Sequence, residues 1–128
     1  MRKFTVALAA ILMALSIPVP AKSQNNVWVF ITTFEGVAVS WRWRQELRNQ
    51  YISELKFENT NSHRVEIHVT AAFVCEDGSK EVENEQMDTI GPGATKGGQW
   101  AGYFWYPCGG TRPPNQGGFE DFAVKHLR

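Results

Sequence analysis

Arg64-Val65-Glu66-Ile67-His68-Val69-Thr70-Ala71-Ala72-Phe73-Val74-Cys75 decides the fold class. Val65, Ile67, Val69, Ala71, Phe73 and Cys75 fall on every second position, while Arg64, Glu66, His68 and Thr70 fill the gaps between them. Side chains in a strand alternate between two faces, so this is a strand with one face in the core and one in water. Cys75 points to the core in this reading.

The same period appears on either side. Val37, Val39, Trp41 and Trp43 alternate with Ala38, Ser40, Arg42 and Arg44. Further on, Trp100, Gly102, Phe104, Tyr106 and Cys108 share one face of a third alternating run, which directs Tyr103 and Trp105 outward unless the following loop covers them. Residues 27–34 are an apolar run of strand length, and residues 119–127 supply a last strand. The stretch 44–56 carries Leu47, Tyr51 and Leu55 at helical steps, yet Tyr51, Ser53, Leu55 and Phe57 also alternate. It divides into a turn or short helical piece at residues 45–49 and a strand at residues 51–58.

Turn residues separate the strands. Asn59-Thr60-Asn61-Ser62 bends through side-chain bonds to the backbone, Asp77-Gly78 suits a hairpin, and Gly91-Pro92-Gly93 joins a fixed φ to two permissive residues. Glu81, Glu83 and Glu85 line one face of residues 81–88. Charges so arrayed protect a sheet edge against pairing with another chain, and no Asp-rich loop with calcium-ligand spacing accompanies them. The expectation is an all-β chain, a small antiparallel β-sandwich of about seven strands. The strand ending Phe57-Glu58-Asn59, the long strand after it, Asp77-Gly78 and Ile90-Gly91-Pro92-Gly93-Ala94-Thr95 together resemble bacterial immunoglobulin-like or fibronectin-type-III-like domains over residues 51–106. That resemblance implies a fold and carries no functional residue with it.

The chain opens with Arg2 and Lys3, an apolar stretch over residues 4–17, and then Pro18, Pro20 and Ala21. Charged, apolar and small-residue regions in that order read as a secretory signal helix. The apolar run of about 14 residues is shorter than the roughly 20 that cross a bilayer. Cleavage after Ala21 or after Ser23 fits. The expected organisation is a signal peptide at residues 1–23 and one domain at residues 24–128, with membrane contact only during export and a periplasmic or secreted destination. Removing residues 1–23 takes Arg2, Lys3 and Lys22 from the 13 basic residues and leaves all 13 acidic ones, for a mature net charge of about −3. A mildly acidic surface gives no electrostatic reason to expect nucleic acid.

The two cysteines of an exported chain are expected to form one disulfide, Cys75 to Cys108, since both alternate onto the core side. His63, His68 and His126 stand in no recognisable catalytic or metal motif, and no cofactor fingerprint is present. The expectation is therefore a binding module without enzymatic activity, cofactor or metal. Trp41-Arg42-Trp43-Arg44 has two readings: core tryptophans with solvated arginines, or an exposed ladder in which arginine stacks on aromatic rings or grips a carboxylate of a ligand. The expected ligand surface is Tyr103 and Trp105 with Arg112 and Asn115 of the long loop at residues 109–118, contacting a protein partner or a glycan; the remaining alternative is a structural envelope-associated domain with no discrete ligand.

Overall fold

The computed structural model describes residues 25–128 and, for the backbone only, Arg2–Thr5. Nine strands make two antiparallel sheets: β1 (Arg2–Thr5), β2 (Val29–Phe34), β3 (Val37–Leu47), β4 (Gln50–Asn59), β5 (Arg64–Val74), β6 (Lys80–Ile90), β7 (Thr95–Gly97), β8 (Phe104–Trp105) and β9 (Gln116–Leu127). One sheet runs β1-β9-β5-β6. The other runs β2-β3-β4-β7, with β8 also on β4. The expected signal peptide, apart from the backbone of β1, lies outside the described residues. Among the described residues no helix is long and apolar enough to cross a membrane.

The core lies between the sheets and is built by alternation. Val37, Val39 and Trp41 of β3, Leu55 and Phe57 of β4, and Val65, Ile67, Val69, Ala71 and Phe73 of β5 are buried. Phe57 stacks on Phe122 of β9 at 5.7 Å between ring centroids and meets Tyr103 edge-on at 5.0 Å. Aromatic pairs in these geometries stabilise beyond the area they bury.

The turns form as their residues dictate. Glu35 and Gly36 both have positive φ in the two-residue hairpin between β2 and β3. Asn59 accepts the Asn61 amide and donates to the carbonyls of His63, Ile90 and Gly91, tying the β4–β5 and β6–β7 connections together. Gly78 has φ 86°, and the Ser79 amide donates to Asp77. Glu81, Glu83 and Glu85 do lie on an edge strand, β6.

Two expectations are corrected. Residues 45–49 hold no helical piece: β3 continues to Leu47, a bulge falls between Gln45 and Leu47, and Asn49 turns the chain at φ 60°. The alternating strand expected from Trp100 to Cys108 is broken. Gln99–Ala101 is a single 3-10 turn flanked by Gly98 and Gly102, both at positive φ; β8 follows for two residues, and Cys108–Gly110 is a second such turn. Among the described residues, β7 and β1 bring the strands to nine, against about seven expected.

Candidate functional site

The glycine-bounded turn at residues 98–102 inverts the faces of the run that follows it. Ser53 of β4 pairs with Trp105 and Glu54 with Phe104, so Trp105 joins the core side and Phe104 the outer side. Tyr103, expected on the surface, is 1% exposed. Its hydroxyl lies 3.3 Å from Asp88, and burial, then the charge and hydrogen bond of Asp88, push its pKa well above the usual tyrosine value. Trp105 packs on the core against Phe73, at 5.8 Å.

Arg112 and Asn115 are exposed but stand elsewhere, against the β5–β6 hairpin: Arg112 reaches Glu76 at 3.5 Å, and the Asn115 amide donates to the Val74 carbonyl. The four residues therefore do not compose one exposed surface. Within residues 100–108, the rings that are exposed are Trp100, 99% exposed, and Tyr106, 40% exposed. Each was expected in the core.

The disulfide forms as expected between Cys75 and Cys108. Beside it is a hollow of about 340 Å³ lined by Glu76, Asp77, Ser79, Glu81, Gly109 and Arg112. The Cys108 amide donates to the Glu81 carboxylate, and one Glu81 oxygen and the two sulfurs lie within 4.8 Å of one another. Disulfide sulfurs carry no thiolate charge, so this trio is no set of metal ligands.

The outer side of the β2-β3-β4 sheet carries the densest functional chemistry. Trp41 is buried and Trp43 is packed on the core, while Arg42 and Arg44 turn outward. Across the sheet, Arg42 is paired with Glu54 and Glu54 with Phe104. Arg42 also lies over the Trp28 ring, 4.4 Å from its centroid, and Lys56 approaches the same ring at 4.5 Å. This makes a row of Trp28, Arg42, Glu54 and Phe104.

One Glu54 oxygen accepts Nε of Arg42 and Nε of Arg44, each at 2.9 Å; the other accepts the Gln99 amide at 2.8 Å. Burial by itself would raise the pKa of Glu54, but the bonds from Arg42, the Gln99 amide and Arg44 outweigh it and hold the carboxyl below its ordinary range. Arg44 also donates to the Gln99 side chain at 2.6 Å. The tryptophans thus pack on the core side with the arginines outward; Arg42 lies over a ring and both arginines grip a carboxylate, but ring and carboxylate belong to this chain and not to a ligand.

Phe30, paired with Ser40 on this outer side, is 60% exposed, and Phe104 meets Tyr106 edge-on at 6.1 Å. The Glu54 clamp supports the row, leaving cationic groups beside rings that water can reach. Such a surface can stack a planar or apolar group and hold a carboxylate next to it.

A second constellation joins residues far apart in sequence. His126 Nε2 is 2.9 Å from Glu35, and His126 Nδ1 is 2.7 Å from His63 Nε2. If Nε2–H of His126 donates to the carboxylate, its Nδ1 is the acceptor for Nε2–H of His63, giving a chain of two neutral imidazoles on one carboxylate. Spacing gave no sign of it. His68 faces water as expected, 2.8 Å from Glu66 on its own strand.

Comparison of the chain with protein-family models, with curated proteins and with solved structures finds no match.

Proposed function

We propose that this chain is exported, loses residues 1–23 and acts as a non-enzymatic binding module of immunoglobulin-like architecture that takes a protein partner on the outer face of the β2-β3-β4 sheet. The Cys75–Cys108 disulfide is compatible with an oxidising compartment outside the cytoplasm. The observation that carries the reading is the coincidence, on one sheet face, of exposed Phe30 and Tyr106 with Arg42 and Arg44 already clamped in place by Glu54. Aromatic and arginine side chains dominate the energetics of protein interfaces, and a clamped arginine loses little freedom on binding.

A glycan is the second reading. It rests on Trp100, whose ring stands free beside Gln99 and can stack on a sugar.

The test is affinity capture of partners from the native envelope or medium by the exported protein and by its Phe30→Ser, Tyr106→Ser and Trp100→Ala variants. Loss of a captured protein by about tenfold or more in Phe30→Ser or Tyr106→Ser supports the protein reading. Glycan binding abolished only in Trp100→Ala favours the second. A partner held equally by all three variants excludes this face.

A further inference from the structure

β9 is bonded to β5 from Gln116 to Val74 at one end through Leu127 to Arg64 at the other. Among the described residues, its opposite edge has a strand neighbour over Asp121 to Val124 alone, and that neighbour is β1, Arg2–Thr5. This edge is therefore able to take a strand. If the leader is removed, as the proposed function holds, β9 becomes an outer strand with unpaired N–H and C=O groups, the usual template for another chain.

β9 lacks the protection its sheet's other edge has. β6 carries Glu81, Glu83 and Glu85, three like charges, whereas β9 has no proline and carries charges of both signs, Asp121 and Lys125 on the regular part of the strand and Glu120 at its bulge, where it is paired with Lys80. Opposite β5, Asp121, Ala123 and Lys125 are paired with Thr70, His68 and Glu66 on the outer side, while Phe122 and Val124 are paired with the buried Val69 and Ile67 on the core side. Lys125 is exposed and has no ion-pair partner among the described residues.

An antiparallel copy of β9 centred on Ala123 satisfies all these features at once. It sets Asp121 of each chain opposite Lys125 of the other and Phe122 opposite Val124, twice over, with Ala123 opposite itself. Centring on Phe122 instead sets Asp121 opposite Ala123 and Lys125 opposite Phe119, and both charges lose a partner. Pairing about a two-fold axis uses up both β9 edges at once and leaves the glutamate-bearing β6 strands as the outer edges of the joined sheet.

We infer that the mature protein is a two-fold dimer in which β9 pairs with β9 of a second copy, joining the two β9-β5-β6 layers into one continuous sheet. The leader strand holds this edge until cleavage. The inference rests on the leader reading but not on the aromatic face.

The test produces the full chain in an exporting host, reads the N-terminus of the recovered protein by intact mass and its oligomeric state by sedimentation across a concentration series. The expected result is a processed dimer. Asp121→Lys and Lys125→Asp each weaken it by about tenfold or more, because like charges then face each other twice, and the Asp121→Lys/Lys125→Asp double variant restores it. A processed protein that stays monomeric overturns the dimer while leaving the leader reading intact. An unprocessed N-terminus overturns the leader reading, and with it the opening of the edge. A dimer indifferent to both single variants, or a processed monomer that binds a different protein through this edge, also overturns the inference.

Discussion

Glu54 and Arg42 face each other across β4 and β3, and a single carboxylate oxygen of Glu54 takes Nε of Arg42 and Nε of Arg44 at equal distances of 2.9 Å. The Glu54 side chain is 2% exposed, whereas both arginines keep some contact with water. Removing the carboxylate leaves two guanidinium groups side by side, with Glu46, 4.0 Å from Arg44, as the remaining counter-charge. Glu54→Ala should cost about 2–4 kcal/mol in chemical denaturation, below the loss for a fully enclosed pair because the arginines can rehydrate. The pH sign follows from the lowered pKa: the contribution is complete above the ordinary value of 4.5 and disappears as pH falls through the lower folded value. A Glu54→Gln protein with wild-type stability at neutral pH would show that the clamp has no energetic weight.

Cys75 and Cys108 are 33 residues apart in sequence. Closing a loop of that length removes chain entropy from the unfolded state worth roughly 3.5–4 kcal/mol. The Cys75→Ser/Cys108→Ser variant should lose about that much, with the midpoint of denaturation lowered and the slope altered as the unfolded chain expands. Equal midpoints for oxidised and reduced protein would refute it.

His63 answers to the groups around it. Burial, then the charges of Arg128 and His126, lower its pKa, while Glu35 lies beyond His126 and Asn59 holds the His63 carbonyl. The folded protein therefore binds a proton at His63 less readily than the unfolded chain does. Stability from this source is complete above the ordinary value of 6.5 and is lost as pH falls through the lowered value. Melting temperature should drop between about pH 7 and 5 more steeply in wild type than in His63→Gln. Identical pH slopes would remove His63 from the account.

Gly117 lies under the Trp41 indole. A Cβ built there would sit 2.3 Å from Trp41 Nε1, and Trp41 is itself buried. Gly117→Ala should cost about 1–3 kcal/mol through overpacking and shift the near-ultraviolet circular dichroism of the tryptophans. Gly97 is similarly confined, with a Cβ position 2.5 Å from Lys56 Cα, so Gly97→Ala should weaken the β4–β7 pairing. Unchanged stability in both variants would mean the backbones part more easily than their packing implies.

Much of the fold was legible in the residues. The faces of β3 and β5, the charged edge at β6 and the Asn59 and Asp77 turns follow from local alternation and turn chemistry, and the cysteine pairing follows from alternation together with the export reading. The candidate site was not. Reading the 100–108 run as an unbroken strand put Tyr103 and Trp105 outside, but Gly98 and Gly102 reverse the chain at positive φ, so the alternation restarts with the opposite phase at β8. A one-residue slip in phase exchanges the two faces, which is why Tyr106 surfaced while Tyr103 and Trp105 turned to the core; Trp100 is exposed because it stands in the 3-10 turn, outside any strand.

Trp41-Arg42-Trp43-Arg44 shows where the division falls. Its period by itself determined that the tryptophans and the arginines turn to opposite sides, because successive side chains of an extended backbone must do so; which side became core was decided by the packing of the two sheets. Only the tertiary structure decided that the arginines meet Glu54, that Arg42 lies over Trp28, and that His63, His126 and Glu35 come into line. Those partners stand on separate strands and turns, and strand pairing rather than spacing along the chain brings them within hydrogen-bonding or ring-contact distance.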